Sequence, residues 1–96
     1  MLVQVGKLIR AGATSPELVT PEDGKYFTLP ELQKYVGGFI ELVPAGIPGV
    51  IVYCNEEGQL KGLRSNMLAS VICEQHLVGD VILVRSERRH ETKKAA

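Results

Sequence analysis

Residues 28–38 read TLPELQKYVGG, and both ends of a helix are written into this one run. Thr28 and Glu31 stand at capping-box spacing, so the hydroxyl and the carboxylate each satisfy an orphan N–H of the first turn. Pro30 falls in that turn, where its missing donor costs little. Leu29, Leu32 and Val36 follow i, i+3, i+7 and form one apolar stripe. Gly37 or Gly38 supplies the left-handed residue that closes a helix. A helix this short is marginal alone in water. The rest of the chain must therefore offer it a surface to bury against.

That surface reads as a sheet. "LVQVGKLI" (2–9) is apolar and β-rich, with Gly6 inside it as a bulge or a close approach. "AGATS" is a turn, "PELVT" (16–20) a short return strand and "PEDGK" (21–25) a loop. "FIELV" (39–43) and "GVIVYC" (49–54) flank "PAGIPG" as an antiparallel hairpin. "NMLASVICE" places Met67, Leu68, Val71 and Ile72 on one face of a second helix, capped by Ser65 or Asn66. "VGD" then turns into "VILVR" (81–85), apolar throughout and read as the central strand. The expectation is an α+β fold in ββαββαβ order, a mainly antiparallel sheet with two helices packed on one face.

Length and charge bound the rest. At 96 residues the chain makes one domain, residues 1–85, followed by a loose basic tail, 86–96. Up to Val84 there are six Lys/Arg against nine Asp/Glu, a net of −3, and from Arg85 onward five against two, a net of +3. An acidic body argues against a duplex reader, since phosphate contacts dominate such affinity. No run approaches the roughly 20 apolar residues of a membrane helix, and "MLVQVGKLIR" lacks the pattern of a signal peptide. A cytoplasmic, reducing setting is expected, with Cys54 and Cys73 as buried thiols.

The chemistry concentrates in "CNEEGQLKGLRSN", residues 54–66. Its first half is turn material: Asn55 and Gly58 suit turn angles, Glu56 and Glu57 suit exposure, and "QLKG" continues as a short extended piece. Its second half delivers Lys61, Gly62 and Arg64 to a helix beginning near Asn66. Free amides and the helix dipole favour an anion there, and the two cations add charge-assisted contacts. The order of a Walker loop is absent. The candidate ligand residues are Lys61, Gly62, Arg64, Asn66 and Asn55, with Gly37 and Gly38 admitting another loop or a second protomer.

Catalysis and metal binding find less. Adjacent Glu56 and Glu57 would point to opposite faces of a strand instead of sharing a proton. Cys54, Cys73 and His76 form C-x18-C-x2-H, three ligands where structural zinc takes four. The reading is of a chain that is no enzyme and holds no metal or cofactor.

The runs L-Q-x-x-V-G-G-x-I-E at Leu32–Glu41 and N-E-E-G-x-L-K-G-L-x-x-N at Asn55–Asn66, with the V-G-D turn at Val78–Asp80, occur together here. In this combination the chain resembles, from Leu2 to Val84, the small phage-, plasmid- and integrative-element-borne family known as domain of unknown function 3846. "AGIPG" and the basic tail lie outside that pattern. The resemblance implies a bacterial or phage cytoplasm and a mobile-element setting, and carries no assigned reaction. It implies an accessory factor that blunts host defence, by sequestering a small anionic, nucleotide-derived signal or by binding a host protein. The first is the leading expectation, with a homo-oligomer as one form it could take. A nucleic-acid accessory role through the basic tail ranks third.

Overall fold

The computed structural model describes residues 1–89. Its elements are β1 (Leu2–Ile9), β2 (Glu17–Val19), α1 (Leu29–Val36), β3 (Ile40–Pro44), β4 (Val50–Asn55), α2 (Met67–Cys73) and β5 (Val81–Arg88). This is the ββαββαβ order, and the fold is α+β. Every strand pairing is antiparallel, and the order across the sheet is β2-β1-β5-β4-β3. β5 lies at the centre, as its unbroken apolar run requires. It continues to Arg88, into the stretch read as tail, because Leu2, Val3 and Gln4 of β1 pair with Arg88, Glu87 and Ser86. Residues 90–96 of the expected tail lie outside the described residues.

The two helices lie on opposite faces of the sheet, which corrects the one-face expectation. Side chains alternate along a strand, and β5 sorts them cleanly. Ile82 and Val84 join Leu8, Phe27, Leu32 and Val36 in the core under α1. Val81, with Leu83 against it, joins Ile9, Val52, Cys54, Ala69 and Cys73 in the core under α2. The register agrees, since Leu8 opposes Ile82 while Ile9 opposes Val81. A strand buried on both faces needs apolar residues at every position, and VILV supplies them.

α1 forms as its sequence dictates. The Thr28 hydroxyl accepts from Glu31 N at 3.3 Å and the Glu31 carboxylate accepts from Thr28 N at 2.6 Å, completing the capping box. Phe27, just before the cap, packs in the same core as Leu32, which fixes the angle of approach as a hydrophobic staple does. Gly37 closes the helix in the left-handed region at φ 78°. Leu29, expected in the buried stripe, is exposed, and Leu32 and Val36 carry the burial. Gly6 gives the Phe27 ring its room: a β-carbon there would lie 3.0 Å from Phe27, Ile82 and Val19 atoms.

α2 turns a different face inward from the expected one. Ala69 and Cys73 are buried and Leu68 and Ile72 half-buried, while Met67 and Val71 look outward. β3 forms one edge of the sheet and the three-residue β2 the other. Glu56 N donates to Phe39 O, so Ile40, Leu42 and Pro44 aim their backbone groups outward in the antiparallel alternation. Pro44 lacks the donor and its carbonyl takes the Gln75 side-chain amide, which blunts that edge.

Candidate functional site

The 55–66 segment is a compact turn, not an extended piece. Asn55 begins it: its Oδ1 accepts from Glu57 N at 2.8 Å and its Nδ2 donates to the Val36 carbonyl at 3.2 Å. One buried side chain thereby ties the end of α1 to the end of β4. Lys61 N donates to Glu57 O and Leu63 N to Gly58 O, so Gln59 and Leu60 sit on the outside of a single helical turn. Gly62, at φ 65°, reverses the chain there. The segment then lies along the 77–79 turn, with Ser65 bridged to Val78, Gly79 N donating to Arg64 O and Asn66 N to Leu77 O.

This path brings Gly37, Asn55, Lys61 and Arg64 to one hollow of about 290 Å³, together with Ala11, Val36, Leu63, Gly79 and Asp80. Gly38 adjoins it: a β-carbon there would meet Asn55 Nδ2 at 2.9 Å and Lys61 Nζ at 3.7 Å. The Arg64 guanidinium lies flat over Gly12, where a β-carbon would stand 2.6 Å from Nη1. Lys61 Nζ is 3.7 Å from the Glu57 carboxylate, an exposed i, i+4 pair that contributes little. Asp80 Oδ1 accepts from Ala11 N at 2.8 Å, and Oδ2 lies 3.9 Å from Arg10 Nη1. The hollow thus offers two cations at its rim and a carboxylate beside them, with the carbonyl end of α1 nearby.

Asn66, like Asn55, is an expected ligand residue whose side chain is bonded into the fold. Asn66 is fully buried. Its Oδ1 caps Ala69 N at 3.1 Å, and its Nδ2 donates to Ile9 O and Gly79 O, each at 2.8 Å. At the start of α2 the Asn66 side chain takes Ala69 N, and Asn66 O takes Ser70 N as the first bond of the helix. Asn66 is thus the cap of this seven-residue helix and lies inside the fold, not on a ligand-facing surface. Gly62 faces open space and lies outside the hollow. Ala11, Gly12 and Asp80 were not expected at the site. Asp80 read as a turn residue, and the 11–12 turn reaches the hollow only through the β1–β5 pairing.

A second polar hollow of about 290 Å³ lies between β3, β4 and the end of α2, with Glu41, Cys54, Glu56 and His76 among its lining. Burial, and then the Glu41 carboxylate, push the Cys54 thiol up, and its Sγ donates to Glu41 O at 3.7 Å. Burial also raises Cys73. Thiols held in that state are poor nucleophiles and poor metal ligands. Among the described residues no group of three or more His, Cys, Asp or Glu side chains gathers to hold a metal ion. Ser65 Oγ and His76 Nε2 lie 3.4 Å apart on the exposed surface, at the loose limit of a hydrogen bond. Among the described residues no helix is long and apolar enough to cross a membrane.

The family described as "Domain of unknown function (DUF3846)" matches residues 5–94, and the chain belongs to it. No curated protein and no solved structure matches the chain.

Proposed function

We propose that this chain is a non-enzymatic binding module that captures a small anionic, nucleotide-like ligand in the hollow between α1, the 55–66 turn and the Gly79–Asp80 turn. One observation supports this above the rest: Gly37, Asn55, Lys61 and Arg64, separated in sequence, border the same hollow. Lys61 and Arg64 would take phosphate or carboxylate oxygens, and Arg64 can do so in a planar two-bond fork. Asp80 beside them favours a ligand that also carries N–H or O–H donors, as a base or sugar does. Asn55 positions the turn through its bonds to Val36 and Glu57. The setting we assign is the cytoplasm of a bacterial host, with the chain borne by a phage or other mobile element and acting as a sponge for a defence signal.

Calorimetry of the purified protein against cyclic and linear nucleotides tests this reading. Saturable heat for one of them, lost in both Lys61→Ala and Arg64→Ala, is the expected result. Unchanged affinity in both variants removes the hollow as the site.

A second reading, occlusion of a host protein, draws on exposed apolar residues beside Lys61. Leu60 is 88% exposed and Phe39 64% exposed. A stoichiometric protein partner in host lysate, released by Leu60→Asp, together with no nucleotide heat, would favour it over the first.

A further inference from the structure

The sheet face under α2 is only partly covered. Past the helix, Val5, Val50 and Leu83 floor an apolar groove of about 210 Å³, walled by Ile72, Ile47 and Leu18. Leu18 is 72% exposed and Ile47 41% exposed. Among the described residues, the charged ones in its lining are Lys7 and Arg85. Their placement follows from the register. Val5 opposes Arg85 and Lys7 opposes Leu83, so Lys7 and Arg85 are diagonal neighbours on this face. Both cations thus belong to one side of the sheet, at the margin of apolar ground. Arg85 has a partial counter-charge in Glu87 at 3.8 Å, a residue outside the groove. An anion placed between the two cations would pair with both, and a tail attached to it would cover the apolar floor.

We infer that this groove binds a small amphiphile, an unbranched acyl chain ending in a carboxylate, with the chain along Val5, Val50 and Leu83 and the carboxylate between Lys7 and Arg85. The site is separate from the Lys61–Arg64 hollow, and no described residue lines both.

The test is calorimetry and amide NMR titration of the full chain with decanoate below its micelle concentration, beside decanol and acetate. Saturable one-to-one binding of decanoate is expected, with decanol about tenfold weaker for want of the charged head and acetate giving no heat. The double variant Lys7→Gln, Arg85→Gln should lose about tenfold in decanoate affinity at unchanged circular dichroism. Lys61→Ala, which tests the other hollow, should leave decanoate binding intact. Absence of saturable decanoate binding, equal affinity for decanol, or a double variant that binds as the parent does would each overturn the assignment. So would a wild-type dimer that Leu18→Lys converts to monomer, since a second copy would then fill the groove.

Discussion

The side-chain amide of Asn66 donates to the carbonyl oxygen of Ile9 at 2.8 Å, joining the start of α2 to the end of β1. The same nitrogen reaches Gly79 O, and the oxygen caps Ala69 N. A fully buried amide that satisfies three backbone groups is costly to remove, because each partner loses its bond away from water. Asn66→Ala should cost on the order of 3 kcal/mol in urea denaturation. Asn66→Asp should cost at least as much, since it aims a buried carboxylate at two carbonyl oxygens. Variants within about 0.5 kcal/mol of the parent would deny Asn66 this role.

How much of this was readable from residues alone depends on how local each cause is. The ends of α1 were legible because Thr28, Glu31 and Gly37 act within a few residues of one another. The order of elements was legible for the same reason. The placement of the helices on opposite faces was not drawn from the sequence, although Val81-Ile82-Leu83-Val84 carries the sign of it. Four apolar residues in succession require cover on both sides of a strand, and one face of helices leaves half of them wet. Asn66 was legible as a cap, but its bonds to Ile9 and Gly79 depend on where β1 and β5 meet. The contact of Arg64 with Gly12 is of the same kind, made by chain pairing with no local signal. Met67 and Val71 misled because a seven-residue helix touches the sheet with a narrow stripe, and Ala69 and Cys73 are small enough to lie closest.

The acid limb of stability should carry the signature of Glu31. Its carboxylate accepts from Glu22 N and Thr28 N, and from the Thr28 hydroxyl, which hold it below the usual carboxylate range. Asp23 is lowered likewise by the amides of Lys25 and Tyr26. A group whose folded pKa is depressed contributes fully above its unfolded pKa and loses that contribution as pH falls through the folded one. The urea midpoint should therefore decline below about pH 4. Glu31→Gln should start lower at neutral pH and converge with the parent in strong acid. Parallel curves for the two proteins over the whole range would rule out this account.

The β3 edge yields a prediction about association. Ile40 and Leu42 point N–H and C=O groups outward, while Pro44 presents no donor and gives its carbonyl to Gln75. Pro44→Val would complete a row of donors beside the exposed Leu42 side chain, the template on which strands of two copies pair. Sedimentation velocity should show self-association about tenfold stronger than the parent, from two added backbone bonds across a twofold pair. Adding Gln75→Ala should strengthen it further. A strictly parent-like profile for both variants would mean that the edge is blunted by something other than Pro44 and Gln75.

The hollow itself is open to a coupling test through Gly12. This residue has φ 86°, and a β-carbon on it would fall 2.6 Å from the Arg64 guanidinium. Gly12→Ala carries a left-handed penalty of about 1 kcal/mol, and it also pushes Arg64 off its seat. If Arg64 acts in ligand capture from that seat, Gly12→Ala should weaken pyrophosphate binding, used as the probe anion and followed by NMR titration. Arg64→Ala should weaken it too. The double variant should then bind no worse than Arg64→Ala alone, because the second change has nothing left to displace. Additive losses would mean that Gly12 and Arg64 act on the anion separately, and that the guanidinium takes its ligand from some other position than over the 11–12 turn.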